Sequence, residues 1–254
     1  RSPITRVRFA SKASSFVFPL WAAAYDLFYR RDISWRERVL PLVPYAGLSL
    51  AGILTFLKLI AADGVIEEYP QGGLLAVLLT NVVLFRDYTI HALLPLRHQA
   101  IYEVSFVHDP WNAAFLSSLA LLACVTTLAW RFRCRPWVPF AALFFYANFI
   151  PYLNIVPHGI YYAERYLYLP SIAFSLLAGV LGAFFVGEAR FSRPARLAAT
   201  GALCAFLAAH ISAASTRNRA WADSETFWKY QAGELPRNPA PLMNLGETRE
   251  ILGD

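Results

Sequence analysis

With 254 residues, 57% of them hydrophobic and only 16% charged, the chain is too apolar for a water-soluble domain of its size. The charge is missing from stretches of roughly 18 residues or more, the length that crosses a bilayer. The formal net charge of +6, from 23 Lys+Arg against 17 Asp+Glu, reads as basic loops beside anionic lipid rather than a nucleic-acid surface.

The expected fold class is all-α: a polytopic helical membrane protein with about six spanning helices. An interfacial or re-entrant segment joins them, and the start of a tetratricopeptide helical repeat follows at the C-terminus. The spans fall at Ser14 to Tyr29, Val39 to Ile60, Ala113 to Trp130, Trp137 to Val156, Leu169 to Gly187 and Ala195 to Ser215. Arginine clusters follow the first span (Arg30, Arg31, Arg36, Arg38), the third (Arg131, Arg133, Arg135) and the fifth (Arg190, Arg193, Arg196), so these three loops are expected on the cytoplasmic side.

A seventh apolar stretch, Gly73 to Leu96, holds Arg86, Asp87 and His91 in its middle. If it crossed, the first two arginine clusters would face opposite sides. Residues from about Ala61 to Asn112 are therefore expected outside, with Gly73 to Leu96 interfacial or re-entrant and interrupted by Pro95. The loop Pro157 to Tyr168 and the tail from Thr216 fall outside with them. Cys124, Cys134 and Cys204 have no metal-ligand or disulfide spacing and are expected to pack as small apolar residues. The only methionine is Met243 and the first residue is Arg1, so further residues are expected upstream.

The densest candidate site is the loop before the fifth span, Asn154-Ile-Val-Pro-His-Gly-Ile-Tyr-Tyr-Ala-Glu-Arg-Tyr-Leu-Tyr-Leu-Pro170. A Glu-Arg pair between apolar helices is costly unless paired or engaged with a ligand. One reading is an aromatic belt of tyrosines with a snorkelling arginine. The functional one puts an anionic lipid headgroup on Arg165, whose planar fork suits phosphate, with Glu164 orienting it or holding a sugar hydroxyl, and with His158 and Tyr166 beside it.

A secondary cluster gathers Arg86, Asp87, His91, Arg97, His98, Glu103, His108 and Asp109. Asp87 and His91, four apart, share a helix face where one can orient the other, or the group is the solvated side of an interfacial helix. No tight metal motif occurs in it. Phosphate loops, serine-hydrolase elbows and dinucleotide fingerprints are also missing.

At Ala163-Glu-Arg-Tyr-Leu-Tyr-Leu-Pro-Ser171 the chain resembles the transmembrane and tetratricopeptide-repeat-containing O-mannosyltransferase family and its bacterial relatives, which are C-type polyprenyl-phosphate-sugar glycosyltransferases. Ser11-Lys-Ala13 with Pro19 and Asp26 resembles the family's Ser-Lys-Glu helix, with Ala13 where Glu is common. Leu93-Leu-Pro95 resembles its extracytoplasmic apolar segment, and Arg217-Asn218 with Trp221 precedes the first repeat.

The resemblance implies residues 1–216 as a transmembrane glycosyltransferase-like domain and 217–254 as the beginning of an extracytoplasmic repeat region. In that region Pro236 closes one repeat, and Leu242, Leu245 and Gly246 open the next, which implies that the chain continues. The implied donor is a polyprenyl-phosphate-linked, mannose-like hexose, taken as substrate; no other cofactor and no metal-ligating residue is assigned. The implied acceptor is a protein Ser or Thr hydroxyl, and Arg165 neutralises the leaving phosphate. The family's catalytic acid lies on a loop upstream of these residues, so no residue here is assigned as the catalytic base. Two other readings stay open: a non-catalytic membrane scaffold whose helical repeats dock partner proteins, and a lipid flippase using the same lipid site.

Overall fold

The computed structural model describes residues 13–30, 32–94, 102–157, 159–187 and 191–253, and among them the chain forms ten α-helices and no strand. A 3-10 turn over Ala13–Val17 leads into α1 (Phe18–Tyr29). Next come α2 (Trp35–Val39), a 3-10 turn over Leu40–Leu42 and α3 (Val43–Ala62), which run on as one helical segment. They are followed by α4 (Gly73–Leu93), α5 (Ala113–Arg131) and α6 (Trp137–Ala147). Two further 3-10 turns, Ile150–Tyr152 and Glu164–Leu167, precede α7 (Ser171–Gly187), α8 (Arg193–Ala220), α9 (Ser224–Glu234) and α10 (Pro239–Leu252).

Four helical segments are long and apolar enough to cross a membrane: Trp35–Ala62, Gly73–Leu93, Ala113–Arg131 and Arg193–Ala220. Three of them cover spans expected from sequence. The expected spans at Ser14 to Tyr29 and Trp137 to Val156 instead contain helices of 12 and 11 residues, and α7 has 17. At 1.5 Å per residue, 11 residues reach only about 16 Å. The reason at α6 is local: Asn148 turns its Nδ2 back to the Phe144 carbonyl, and Pro151, three residues on, offers no N–H and disfavours helix at Ile150.

The fourth long helix is α4, in the stretch Gly73 to Leu96 expected to be interfacial or re-entrant with Pro95 as its interruption. It is one continuous 21-residue helix, and Pro95 lies outside the described residues. Half of its most apolar window is buried inside the protein, against 0%, 6% and 0% for the other three. Those three turn their Leu, Ile and Val side chains outward, as lipid-facing helices do. All three cysteines are free and exposed rather than packed inside: Cys124 on α5 and Cys204 on α8 lie on outer helix faces that are themselves apolar, and Cys134 lies in the turn between α5 and α6.

The chain divides into two compact units, one containing Val104–Leu177 together with the residues up to Ile90, the other His91–Glu103 together with Ala178 onward. The expected boundary at residue 216 falls inside α8.

In the first unit α1 and α6 pack antiparallel: Trp21 meets Phe144 (ring centroids 5.0 Å) and Tyr29 meets Phe140 (5.7 Å). The end of α1 therefore lies beside the start of α6. This brings Arg30, Arg36 and Arg38 to the same end of the unit as Arg131, Arg133 and Arg135. That end is rimmed by exposed tryptophans, Trp35 and Trp130, and the Arg133 guanidinium lies 4.3 Å above the Trp130 ring.

The other end gathers α3's last turns, the segment after α6 and, through its polar side chains, α4. Thr80 accepts from the Val107 N–H (2.9 Å), Asn81 donates to the Leu153 carbonyl (2.7 Å), and Arg86 reaches Ala114 and Ser117 in the first turns of α5 (3.4 Å each). The connection from α3 to α4 is fastened there too, by Tyr69 to the Ile155 carbonyl (2.6 Å) and by the Glu67 N–H to the Pro157 carbonyl (3.1 Å). At Gly52 the Ala13–Val17 turn comes so close that a Cβ would stand 2.5 Å from the Phe16 ring, the approach that small residues allow between membrane helices.

In the second unit α9 and α10 form a helical hairpin across a four-residue turn, 235–238. Glu225 on α9 pairs with Lys229 (2.8 Å) and with Arg249 on α10 (3.2 Å). Asp223 caps α9: its carboxylate accepts from the Thr226 N–H (2.7 Å) and hydroxyl (2.8 Å), and these bonds hold its pKa below the ordinary value. With the folded pKa below the unfolded one, the cap's contribution is full above the unfolded value, about 4, and is lost as the pH falls through the folded one. Asp223→Asn keeps the N-cap acceptor but removes the titration. Protection of the amides across Ser224–Glu234 should then lose part of its acid sensitivity, the remainder belonging to Glu225, whose bonds from Lys229 and Arg249 also hold its pKa down.

Candidate functional site

The loop from Asn154 to Pro170 is held by side chains from outside it. Tyr88 on α4 is the main support: its hydroxyl accepts from the Ala163 N–H (3.1 Å) and donates to the Ala163 carbonyl (3.3 Å). Its ring lies between Phe149 (4.4 Å) and Tyr162 (4.3 Å) in a stack of three. Ala163 is the residue before the Glu164–Leu167 turn, so this contact fixes where the turn starts.

At the head of the loop Asn154 takes a left-handed conformation (φ 50°), which Asn tolerates, and its Nδ2 donates to the Tyr152 and Ile160 carbonyls. Both ends of the loop are thus tied to the Ile150–Tyr152 turn or to α4.

Within the turn, buried Tyr166 stacks on Tyr152 with centroids 3.8 Å apart and planes 12° from parallel. The Arg165 guanidinium lies over the outer face of this pair, 5.4 Å from the Tyr166 centroid. Arg165 is exposed, and among the described residues no carboxylate pairs with it. Glu164, half-buried, precedes it in the same turn. The arrangement is a cation on a rigid aromatic base, with its N–H groups presented to one end of the unit. A guanidinium held this way suits a phosphate or carboxylate bound by two parallel N–H bonds.

Of the residues singled out from sequence, Glu164, Arg165 and Tyr166 come together in one turn. His158 lies outside the described residues, as do Arg97 and His98.

The secondary cluster is spread out. Asp87 Oδ1 accepts from Arg86 Nε (2.9 Å) and Nη2 (2.7 Å), while the His91 ring meets Tyr102 at 6.2 Å. Glu103 accepts from Asn238, His108 lies against Gly72, and Asp109 accepts from the Trp111 N–H. Among the described residues no three of His, Cys, Asp and Glu stand close enough to hold a metal.

The structure also adds Glu67, Tyr69, Asn81, Tyr88 and Tyr152, which sequence reasoning passed over. Glu67 lies directly on Gly159, where an added Cβ would stand 2.5 Å from Oε1. Burial, together with the nearby Glu67 carboxylate and the Tyr69 phenol, pushes the Tyr161 pKa up. Gly159 has φ +83°, so Gly159→Ala carries two penalties: the left-handed backbone, roughly 1–2 kcal/mol, and displacement of Glu67. Thermal unfolding should show the loss, and adding Glu67→Ala should recover only the second part.

Compared with protein-family models, with curated proteins and with solved structures, the chain matches none.

Proposed function

We propose that the chain is the membrane part of a glycosyltransferase that moves a mannose-like hexose from a polyprenyl-phosphate donor to a protein hydroxyl on the extracytoplasmic side. The observation that carries the reading is the exposed Arg165 guanidinium on the Tyr166–Tyr152 stack, at the end of the first unit opposite the two arginine clusters. In this reading the arginine-rich end is cytoplasmic. Helix α4 then makes no net crossing, since its polar contacts all lie at the other end. The acceptor hydroxyl gives its proton to a carboxylate base, a role assigned to no residue here, as its oxygen attacks the anomeric carbon; the bond from that carbon to the phosphate oxygen breaks, and charge builds on the departing phosphate. A fixed cation beside that oxygen lowers the barrier, because its attraction is strongest in the transition state.

The α9–α10 hairpin fits the start of a repeat array that holds an acceptor polypeptide, with Leu242, Leu245 and Gly246 on α10. A Cβ at Gly246 would meet nothing within 4 Å, so the hairpin by itself does not call for glycine there. The scaffold reading draws on the same helix, whose Leu242, Met243, Ile251 and Leu252 are exposed.

Transfer decides between them. Sealed vesicles bearing the intact protein should move labelled hexose from a polyprenyl-phosphate hexose to a Ser/Thr peptide when both are supplied on the Arg165 side. Vesicles that transfer nothing while the protein is folded would favour the scaffold.

A further inference from the structure

The two arginine clusters of the first unit are parts of one surface. Arg30 directly follows Tyr29, whose ring meets Phe140, and Arg135 stands one turn before Phe140. Arg38 Nη2 donates to the Arg30 carbonyl (3.2 Å), which holds α2 against the end of α1. Across from it, the Arg133 N–H bonds the Trp130 carbonyl and the Arg135 N–H the Phe132 carbonyl, so the link from α5 to α6 is tightly turned.

The charge on this surface is mostly of one sign. Arg30, Arg36, Arg38, Arg131, Arg133 and Arg135 stand here against Asp26, Asp32 and Glu37. Asp26 is taken by Arg30 (3.3 Å), and Glu37 by the hydroxyl and N–H of Ser34 (2.7 and 2.8 Å). No acidic residue occurs between Asp109 and Glu164, so the link from α5 to α6 brings none of its own. Two exposed guanidiniums lie over exposed indoles, Arg133 over Trp130 (4.3 Å) and Arg36 over Trp35 (5.8 Å). A ring beneath a guanidinium holds the cation in place while its N–H edge points sideways, where a phosphate accepts two bonds.

The neighbours of these arginines point to a lipid as the occupant. Trp35 and Trp130 are each 69% exposed, and the helices they flank turn Leu40, Val43 and Leu128 outward close by. Indoles take the headgroup level of a bilayer, and apolar side chains below them meet acyl chains. An anionic head on the arginines therefore has its own tails beside apolar protein surface.

We propose that the Arg36–Trp35 and Arg133–Trp130 pairs form one headgroup site for an anionic phospholipid, assembled from two loops by the α1–α6 contact. The site is independent of Arg165, which lies at the opposite end of the unit. It also demands more than the positive-inside rule, under which every arginine of a basic loop counts alike. Here the position of the cation and the ring beneath it decide.

The test titrates the full chain in detergent with dioleoyl phosphatidylglycerol and reads binding by native mass spectrometry. Dioleoyl phosphatidylcholine and glycerol 3-phosphate are the controls. One phosphatidylglycerol per chain should bind about tenfold more tightly than phosphatidylcholine. Arg36→Gln and Arg133→Gln should each weaken that same lipid about fivefold, the factor that one arginine contributes beside an anionic headgroup. Trp130→Leu keeps every charge and should still weaken it about threefold, through the lost ring. Arg196→Gln, exposed in another basic loop, should leave the affinity within about twofold.

Equal binding of the two phospholipids would overturn the site, as would full affinity in Trp130→Leu or an equal loss in Arg196→Gln. These two variants decide the matter even where an arginine variant fails to fold. Two lipids lost one at a time, each with its own arginine, would overturn the joining of the loops. Glycerol 3-phosphate bound as tightly as the lipid would overturn the lipid as occupant.

Discussion

Arg165→Ala should weaken binding of a prenyl phosphate, and transfer from its hexose derivative, by about 100-fold or more, while the melting temperature stays where it was. The two halves of that expectation come from the same geometry. Among the described residues the guanidinium's contact is with the Tyr166 ring, a cation–π contact of about 0.5–1 kcal/mol at an exposed site, so the fold loses little. A phosphate held by two charge-assisted N–H bonds loses both at once. Arg165→Lys keeps the charge without the fork and should fall between the two. A variant that binds and transfers normally would remove Arg165 from the site, and a variant that fails to fold would show that the side chain does structural work absent from its contacts.

The second large effect is expected far from any ligand atom. Tyr88→Phe removes one hydroxyl, yet strands the buried Ala163 N–H, at a cost of about 1–3 kcal/mol, while the Ala163 carbonyl keeps its bond from the Tyr166 N–H (3.0 Å). Tyr88→Ala also empties the slot between Phe149 and Tyr162 and should cost about 3–5 kcal/mol. Because Ala163 sets the start of the Glu164–Leu167 turn, Tyr88→Phe should speed exchange of the Ala163 amide and lower prenyl phosphate affinity several-fold. Unchanged exchange at Ala163 would mean that the hydroxyl is not what anchors the turn.

Much of the helical layout was legible because it is written locally. Apolar stretches in Val39 to Ile60, Ala113 to Trp130 and Ala195 to Ser215 are long and uncharged, and each is a long helix. The Glu164-Arg165-Tyr166 turn was legible for a related reason, since a charge pair amid tyrosines stands out in an apolar sequence. The antiparallel contact of α1 and α6, which puts two arginine clusters at one end, depends on packing between residues more than 100 positions apart.

The contacts of helix α4 are the less legible part. Its charged residues stand out in the sequence, and Arg86 reaches the first turns of α5, but the uncharged Thr80, Asn81 and Tyr88 hold the helix as well. Asn81 and Tyr88 are seven apart, two turns on one helix face, and that spacing of hydrogen-bonding side chains in an apolar run was the available signal. Their partners, the Leu153 carbonyl and Ala163 backbone, are main-chain groups of a distant loop and leave no trace in side-chain identity.

Transfer on the extracytoplasmic side requires the Arg165 loop to face away from the arginine-rich end, and one labelling experiment tests that. Cys134 is exposed between Arg133 and Arg135, and Tyr168 is 70% exposed just past the Glu164–Leu167 turn. In sealed vesicles of one orientation, with Cys124 and Cys204 replaced by serine, a membrane-impermeant maleimide should reach Cys134 from the face opposite to the one from which it reaches Tyr168→Cys. Tyr69→Cys should label with Tyr168→Cys. Labelling of Cys134 and Tyr168→Cys from the same face would contradict the topology, and with it the placement of Arg165 on the extracytoplasmic side.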